Sequence, residues 1–153
     1  MPTLEERLQR LEDIAAIRRL KHEYARTVDR FATGDEYAAL FTEDGLIDGD
    51  LGPVEGREEI RKFFSAVPQT FSFFLHYMCG ETIDIAPSGT EATGHWYLWE
   101  LGTLRGEAVW IAITYDDEYR KVNGVWRISH QTFHTHFVTP YNKGWVEQRL
   151  VKL

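Results

Sequence analysis

The sequence predicts an α+β domain, and three observations carry that reading. Apolar residues recur at helical spacing through the first part of the chain: Leu4, Leu8, Leu11, Ile14, Ile17, Leu20, Tyr24, Val28 and Phe31. From residue 70 onward, aromatic and β-branched residues gather in long runs. Two hairpin signals, Pro87-Ser88-Gly89 and Asn123-Gly124, punctuate those runs. Helices followed by an antiparallel meander make an α+β fold, whereas strands alternating with helices would make a parallel sheet.

The elements follow in order. The N-terminal stripe drifts between its two halves and Asp13 is a candidate N-cap, so a short lead-in helix should precede a main one from about residue 13. Gly34-Asp35 opens a second short helix, DEYAALF. After the turn-rich segment GDLGPVEG comes a third, REEIRKFF, which must stop before Pro68. Strands are expected at 70–78, 81–85, 91–101, 107–122 and 125–138. In WYLW at 96–99 and VWIAI at 109–113 both alternating faces are apolar, whereas a half-solvated antiparallel sheet alternates apolar with polar. Three short helices cover one face of a five-stranded sheet, so the other face should pack on another copy of the chain, as a homo-oligomer.

Composition bounds the function. A chain of 153 residues and 17.8 kDa, without repeats or a linker, fits one domain over 1–153. A net charge of −7 and no basic cluster disfavour nucleic acid, which is bound by Lys and Arg neutralising phosphates. Apolar windows fall short of a bilayer span and MPTLEERLQRLED lacks a signal-peptide core, so no membrane partner and a cytoplasmic location are expected. Cys79 is the single cysteine and can form neither an internal disulfide nor a CxxC site. Five Trp within a 14% aromatic content suggest aromatic walls around a ligand or a partner.

Candidate chemistry starts at FSFFLHYM, where His76 sits in a strongly apolar run. It is either a structural core histidine or a base that a carboxylate partner would orient. Tyr24 lies in the helical stripe, so its hydroxyl needs a hydrogen bond in the interior. Asp29 falls roughly 130° from the stripe's centre, at the rim of a straight helix. It faces a cavity mouth only if Phe31 closes the helix and the chain bends there. His130, His134 and His136 share one side of a strand; His134 and His136 have a metal-ligand spacing, but no carboxylate or thiolate in that strand completes a site, and a polar pocket wall or an oligomer contact is favoured. Glu100 ends an apolar strand, either at the surface or buried with a raised pKa. No phosphate-binding glycine loop and no GxSxG elbow occur, so no nucleotide cofactor is indicated.

The order LEDIAAIRRLKHEYARTVD, FTEDGLIDG, GREEIRKFF, FFLHYMCGETIDI, ATGHWYLWE and YDDEYRKVNGVWRISH resembles the SnoaL-like family of the nuclear-transport-factor-2-like superfamily, from about Leu4 to His130. Within it the chain is similar to bile-acid 7α-dehydratases, and more distantly to scytalone dehydratases and hexachlorocyclohexane dehydrochlorinases. The resemblance implies a cone-shaped α+β barrel around a deep apolar cavity, often trimeric in this branch, and a cofactor-free, metal-free lyase. It matches Asp29 and His76 to a catalytic dyad, Tyr24 to a catalytic tyrosine, and Glu100 to an acidic position where the dehydratases have Asp. The dehydratases' C-terminal-strand Arg falls near Thr135, which leaves that cation's role open to His134 or His136. Substrate contacts are expected from Phe74, Trp96, Trp99, Glu100, Trp110, His130 and His134. The expected reaction is elimination from an apolar aromatic or polycyclic molecule, of the dehydratase type or a retro-aldol release of a small aldehyde. The alternatives are a non-catalytic ligand-binding or adaptor domain and a double-bond isomerase.

Overall fold

A computed structural model describes residues 1–50 and 52–151; position 51, within the expected turn segment 49–56, and positions 152 and 153 of the domain expected over 1–153 lie outside the described residues. The N-terminal stripe forms one continuous helix, α1 (Leu4–Asp29), in place of the expected pair. Thr3 starts it: its hydroxyl accepts from the Glu6 N–H while the Glu6 carboxylate accepts from the Thr3 N–H, a capping box. Asp13 is a buried mid-helix residue that accepts from the Trp126 indole at 2.9 Å and pairs with Lys121 at 2.7 Å. The drift of the stripe arises because Leu4, Leu8 and Leu11 stay exposed, and burial begins at Asp13, Ile17, Lys21 and Tyr24.

A second capping box, Thr33 with Glu36, opens α2 (Gly34–Ala38). Two strands that the sequence reading missed follow, β1 (Phe41–Asp48) and β2 (Val54–Glu55). Glu43, Asp44 and Gly45 break the apolar alternation of β1 and hide it. Helix α3 (Arg57–Ala66) passes into a 3₁₀ turn at Val67–Gln69, where Pro68 stops it as expected. The meander consists of β3 (Phe71–Ile85), β4 (Glu91–Leu104), β5 (Glu107–Val122) and β6 (Val125–Pro140), and a short α4 (Gly144–Glu147) follows. Strand β3 joins the two strands expected at 70–78 and 81–85 through a bulge at Gly80, whose φ is +63°. Arg105-Gly106 and Asn123-Gly124 have positive φ at both residues, the geometry of two-residue hairpin turns.

Among the described residues the sheet has six strands in the order β2-β1-β6-β5-β4-β3. All neighbours are antiparallel except β1 and β6, which run parallel. It is curved and unclosed, with β2 and β3 as its edges. Helices α1 and α3 bury its inner face around Ile17, Phe41, Ile60, Tyr119 and Ile128. The outer face carries an aromatic chain, in which Trp99 contacts Trp110 and Phe137, Trp110 stacks on Tyr141, and Phe137 stacks on Trp145 of α4. Phe73, Tyr77 and Tyr97 on that face are about half exposed. No described helix is long and apolar enough to cross a membrane.

Candidate active site

Under the inner face lies a cavity of about 160 Å³, walled by Phe64, Phe71, Phe74, Ile111 and Phe133. Its polar groups are Tyr24 from α1, His76 from β3, Glu100 from β4, Tyr115 from β5, and Gln131 and Thr135 from β6, with Asp50 at an exposed position.

The position of His76 follows from the sheet order. β3 is an edge strand, so every second N–H on it has no strand to donate to. The N–H of His76 is one of these, and it donates to both carboxylate oxygens of Asp29, at 3.1 and 3.2 Å. The same carboxylate lies 2.6 Å from the ring Nδ1 of His76. Asp29 can reach because α1 ends there. Ala32 N–H bonds back to Thr27 C=O and Phe31 N–H to Val28 C=O, a helix-closing motif with Phe31 at φ +49°. The chain turns and Phe31 packs on Phe74, 5.7 Å between ring centroids. This is the bend that the sequence reading required before Asp29 could leave the rim.

Glu100 is directly opposite His76 across the β3–β4 pair. Because the His76 N–H points away from β4, this is a non-hydrogen-bonded pair, the kind in which facing side chains approach most closely. The Glu100 carboxylate stands 3.4 Å from Nε2, near enough for strong charge coupling and too far for a well-formed hydrogen bond. The His76 and Glu100 side chains are 5% and 4% exposed. Burial pushes the Glu100 carboxyl up to about 7, against the attraction of His76, and the negative charge of Asp29 adds to the rise. Near neutral pH Glu100 is thus divided between its acid and its carboxylate.

Tyr24 is buried edge-on to Tyr37, Phe64 and Tyr115. The Tyr24 and Tyr115 phenols are electrostatically coupled, and both line the cavity. Burial, with the charges of Asp117 and Glu100, holds the Tyr24 phenol far above its ordinary pKa. Behind this pair, Lys21 Nζ lies 3.8 Å from the centroid of Tyr115 and 2.7 Å from Asp117, both ions fully buried. Asp117 also accepts from Tyr119, whose oxygen accepts from the Trp96 indole.

The cavity thus brings together Tyr24, Phe74, His76 and Glu100, with Asp29 bonded behind His76. It does not include the other expected substrate contacts. Trp96 is on the inner face but lies beneath α1, edge-on to His22 and fully buried away from the cavity. Trp99 and Trp110 alternate to the outer face, because Glu100 and Ile111 take the inward positions. His130, His134 and His136 share one side as the spacing implied, and that side is the outer one. His130 approaches Glu118, His134 approaches Asp116, and His136 contacts the Thr114 hydroxyl at 3.0 Å. Neither His134 nor His136 therefore supplies a cation to the cavity. Tyr115, Gln131 and Phe133 were missed. Gln131, Phe133 and Thr135 alternate out of phase with the histidines, and that phase is the signal that could have found them.

The arrangement is an apolar cavity that holds a dry imidazole between two carboxyls, beside a tyrosine hydroxyl, under a curved sheet. The chain belongs to the SnoaL-like domain family, whose model matches residues 9–132. Solved structures of similar fold include a hexachlorocyclohexane dehydrochlorinase, LinA-type3, from Novosphingobium barchaimii. It is 25% identical, over 87% of this chain and 92% of that one, with a TM-score of 0.78. A protein from Novosphingobium aromaticivorans assigned provisionally as a scytalone dehydratase is 25% identical, over 87% and 90%, at 0.79. A second one from that organism, assigned provisionally as an aromatic ring hydroxylase, is 28% identical, over 85% and 94%, at 0.78. A search of curated proteins gave no match.

Proposed function

We propose that this chain is a cofactor-independent lyase, which eliminates a small leaving group from an apolar aromatic or polycyclic molecule by acid–base catalysis at His76. The observation that carries the reading is the 2.6 Å contact between His76 Nδ1 and Asp29, at one side of an apolar cavity. With the Nδ1 proton held by Asp29, the Nε2 lone pair faces the cavity and Glu100. Nε2 takes a proton from a substrate carbon, and Asp29 stabilises the imidazolium that results. The C–H electrons form the new double bond as the leaving group departs with its own bonding pair. The neutral form of Glu100 gives its proton to a departing oxygen, and Tyr24 donates to an oxygen on which charge develops. Similarity to a dehydrochlorinase and to a provisionally assigned dehydratase supports this reaction type.

The raised pKa of Glu100 beside His76 favours a second reading, a double-bond shift, because two proton carriers on one wall can remove and return a proton. Product analysis separates the two. Aromatic and steroid alcohols and chlorinated rings should lose water, formaldehyde or chloride in the presence of the enzyme, whereas isomerisation leaves the mass unchanged. A binding or adaptor domain would hold members of that panel and turn over none. His76→Ala should retain binding and lose turnover; a variant as active as the parent would overturn the mechanism.

We also propose that the enzyme works in the cytoplasm and that its outer aromatic face is buried against further copies of the chain, a trimer by family resemblance. Sedimentation equilibrium at micromolar protein should give an oligomer, and a monomer there would refute this.

A further inference from the structure

We infer that Gln131 reads the polar end of the ligand, so that this cavity takes an uncharged apolar molecule bearing a hydrogen-bond acceptor, such as a carbonyl oxygen, and rejects a carboxylate. The inference rests on the reading of the cavity as a substrate site, and its test does not depend on turnover.

Gln131 is 1% exposed, lies on β6 between Ile47 of β1 and Asp117 of β5, and its Nε2 has no hydrogen-bond partner. Buried amides in native proteins nearly always have one, because leaving the N–H unpaired sacrifices its hydration without replacement. The side chain lines the cavity, so a ligand atom can reach it. Its cross-strand neighbour Asp117 also has one oxygen, Oδ1, without a partner; the other is held by Lys21 and Tyr119. The carboxamide has two N–H groups, so a rotation that gives one to Asp117 still leaves the second for the cavity.

Charge fixes the class of acceptor. Among the described residues lining the cavity there is no Lys or Arg, whereas Glu100 lines it directly and Asp29 stands behind His76. Lys21, the buried cation nearby, is paired with Asp117 and is not part of the lining. An anionic ligand would enter beside two carboxyls with no Lys or Arg among the described lining residues to neutralise it, and with His76 already paired to Asp29; a desolvated unpaired charge is among the costliest things a site can hold. A neutral oxygen meets a donor there instead.

The test uses three probes of similar shape, ethylbenzene, acetophenone and benzoate, with binding followed by calorimetry in the wild type and in Gln131→Met, which keeps the length and removes the donor. The wild type should bind acetophenone and not benzoate. The substitution should weaken acetophenone about tenfold, one net hydrogen bond, and leave ethylbenzene unchanged or tighter. A structural role alone would shift both neutral probes together, and that result overturns the inference, as does tight binding of benzoate. If Gln131→Met does not fold, the side-chain amide resonances of wild-type Gln131 give the answer. They should move with acetophenone and not with ethylbenzene, and no movement refutes it. If none of the three probes binds, this inference falls while the lyase reading still stands or falls on His76.

Discussion

The two faces of β4 are equally apolar in sequence and opposite in construction. Inward, Trp96, Leu98 and Glu100 are each nearly inaccessible; outward, Tyr97 and Trp99 are between a third and a little over half exposed. The outer aromatics touch one another in a chain that ends on α4, and among the described residues no titratable group is buried beside Trp99, Trp110 and Phe137. On the inner face the polar groups are few, and they stand in line: Asp29 to His76 to Glu100, and Lys21 to Asp117 to Tyr119 to Trp96. Apolar content does not separate a cavity wall from an exposed aromatic face. The difference is made by a second layer, α1, which excludes water from one face and thereby raises the energetic stakes of every charge it covers.

The largest effect that would break this contrast is at the dyad. His76→Ala should lower turnover by about 10²–10⁴-fold, and Asp29→Asn should also lower it by leaving the ring without its orienting charge. The substitution Trp99→Ala should leave the rate per active site unchanged. Single-turnover kinetics on whichever substrate the screen yields would check all three. Next in size is the buried ion pair. Lys21→Met leaves the Asp117 carboxylate buried with no cation, and urea denaturation should show a loss of about 3–5 kcal/mol. The double variant Lys21→Met/Asp117→Leu should recover most of it. Deleting the charge of Arg120, whose pair with Asp44 is exposed, should cost less than about 1 kcal/mol.

Much of the fold was legible, because helical and strand periodicities and the Asn123-Gly124 turn are local signals. The antiparallel meander, the stop at Pro68 and the α+β class follow from them, whereas the bulge at Gly80 made one strand, β3, read as two. β1 was not legible, since Glu43 and Asp44 sit in a break of its register with β6, between Phe41 and Leu46, and no local pattern reveals that parallel pairing. At the site, family motifs carried Asp29, while helical geometry alone placed it at the rim; the difference is made by Phe31, whose left-handed conformation no simple propensity predicts. Trp99 and Trp110 were misplaced because a strand that is apolar on both faces does not say which side a helix will cover. Gln131 was hidden by three histidines in the opposite phase.

Glu100 offers a test by pH. Its carboxyl titrates at about 7 in the folded chain, against an ordinary value of 4.5. Between those values the native state holds a proton that the unfolded chain has released. Stability therefore falls as pH rises through that window. The penalty is absent below about pH 4.5, complete above about pH 7, and of the order of 3 kcal/mol. Glu100→Gln should remove it, so that the variant is the more stable protein at pH 8 and gains nothing at pH 4, by denaturant midpoints at the two pH values. Equal gains at both would mean that burial does not burden the carboxylate as described.

The smallest expected effect is on the outer face, and it sharpens the contrast most. Tyr97 is about half exposed and carries His95 at 5.2 Å as its ring neighbour. Tyr97→Ser removes apolar surface that is already wet, so the stability of the dissociated chain should change by no more than about 0.5 kcal/mol. Acetophenone affinity should be the same as in the wild type, because no cavity atom is touched. Association should weaken, because the same ring counts as buried surface once another copy covers it. Sedimentation at a series of concentrations, with calorimetry on the same samples, would measure the two effects side by side. If ligand affinity falls as the oligomer dissociates, the cavity depends on the neighbouring copy and the two faces of the sheet are energetically one.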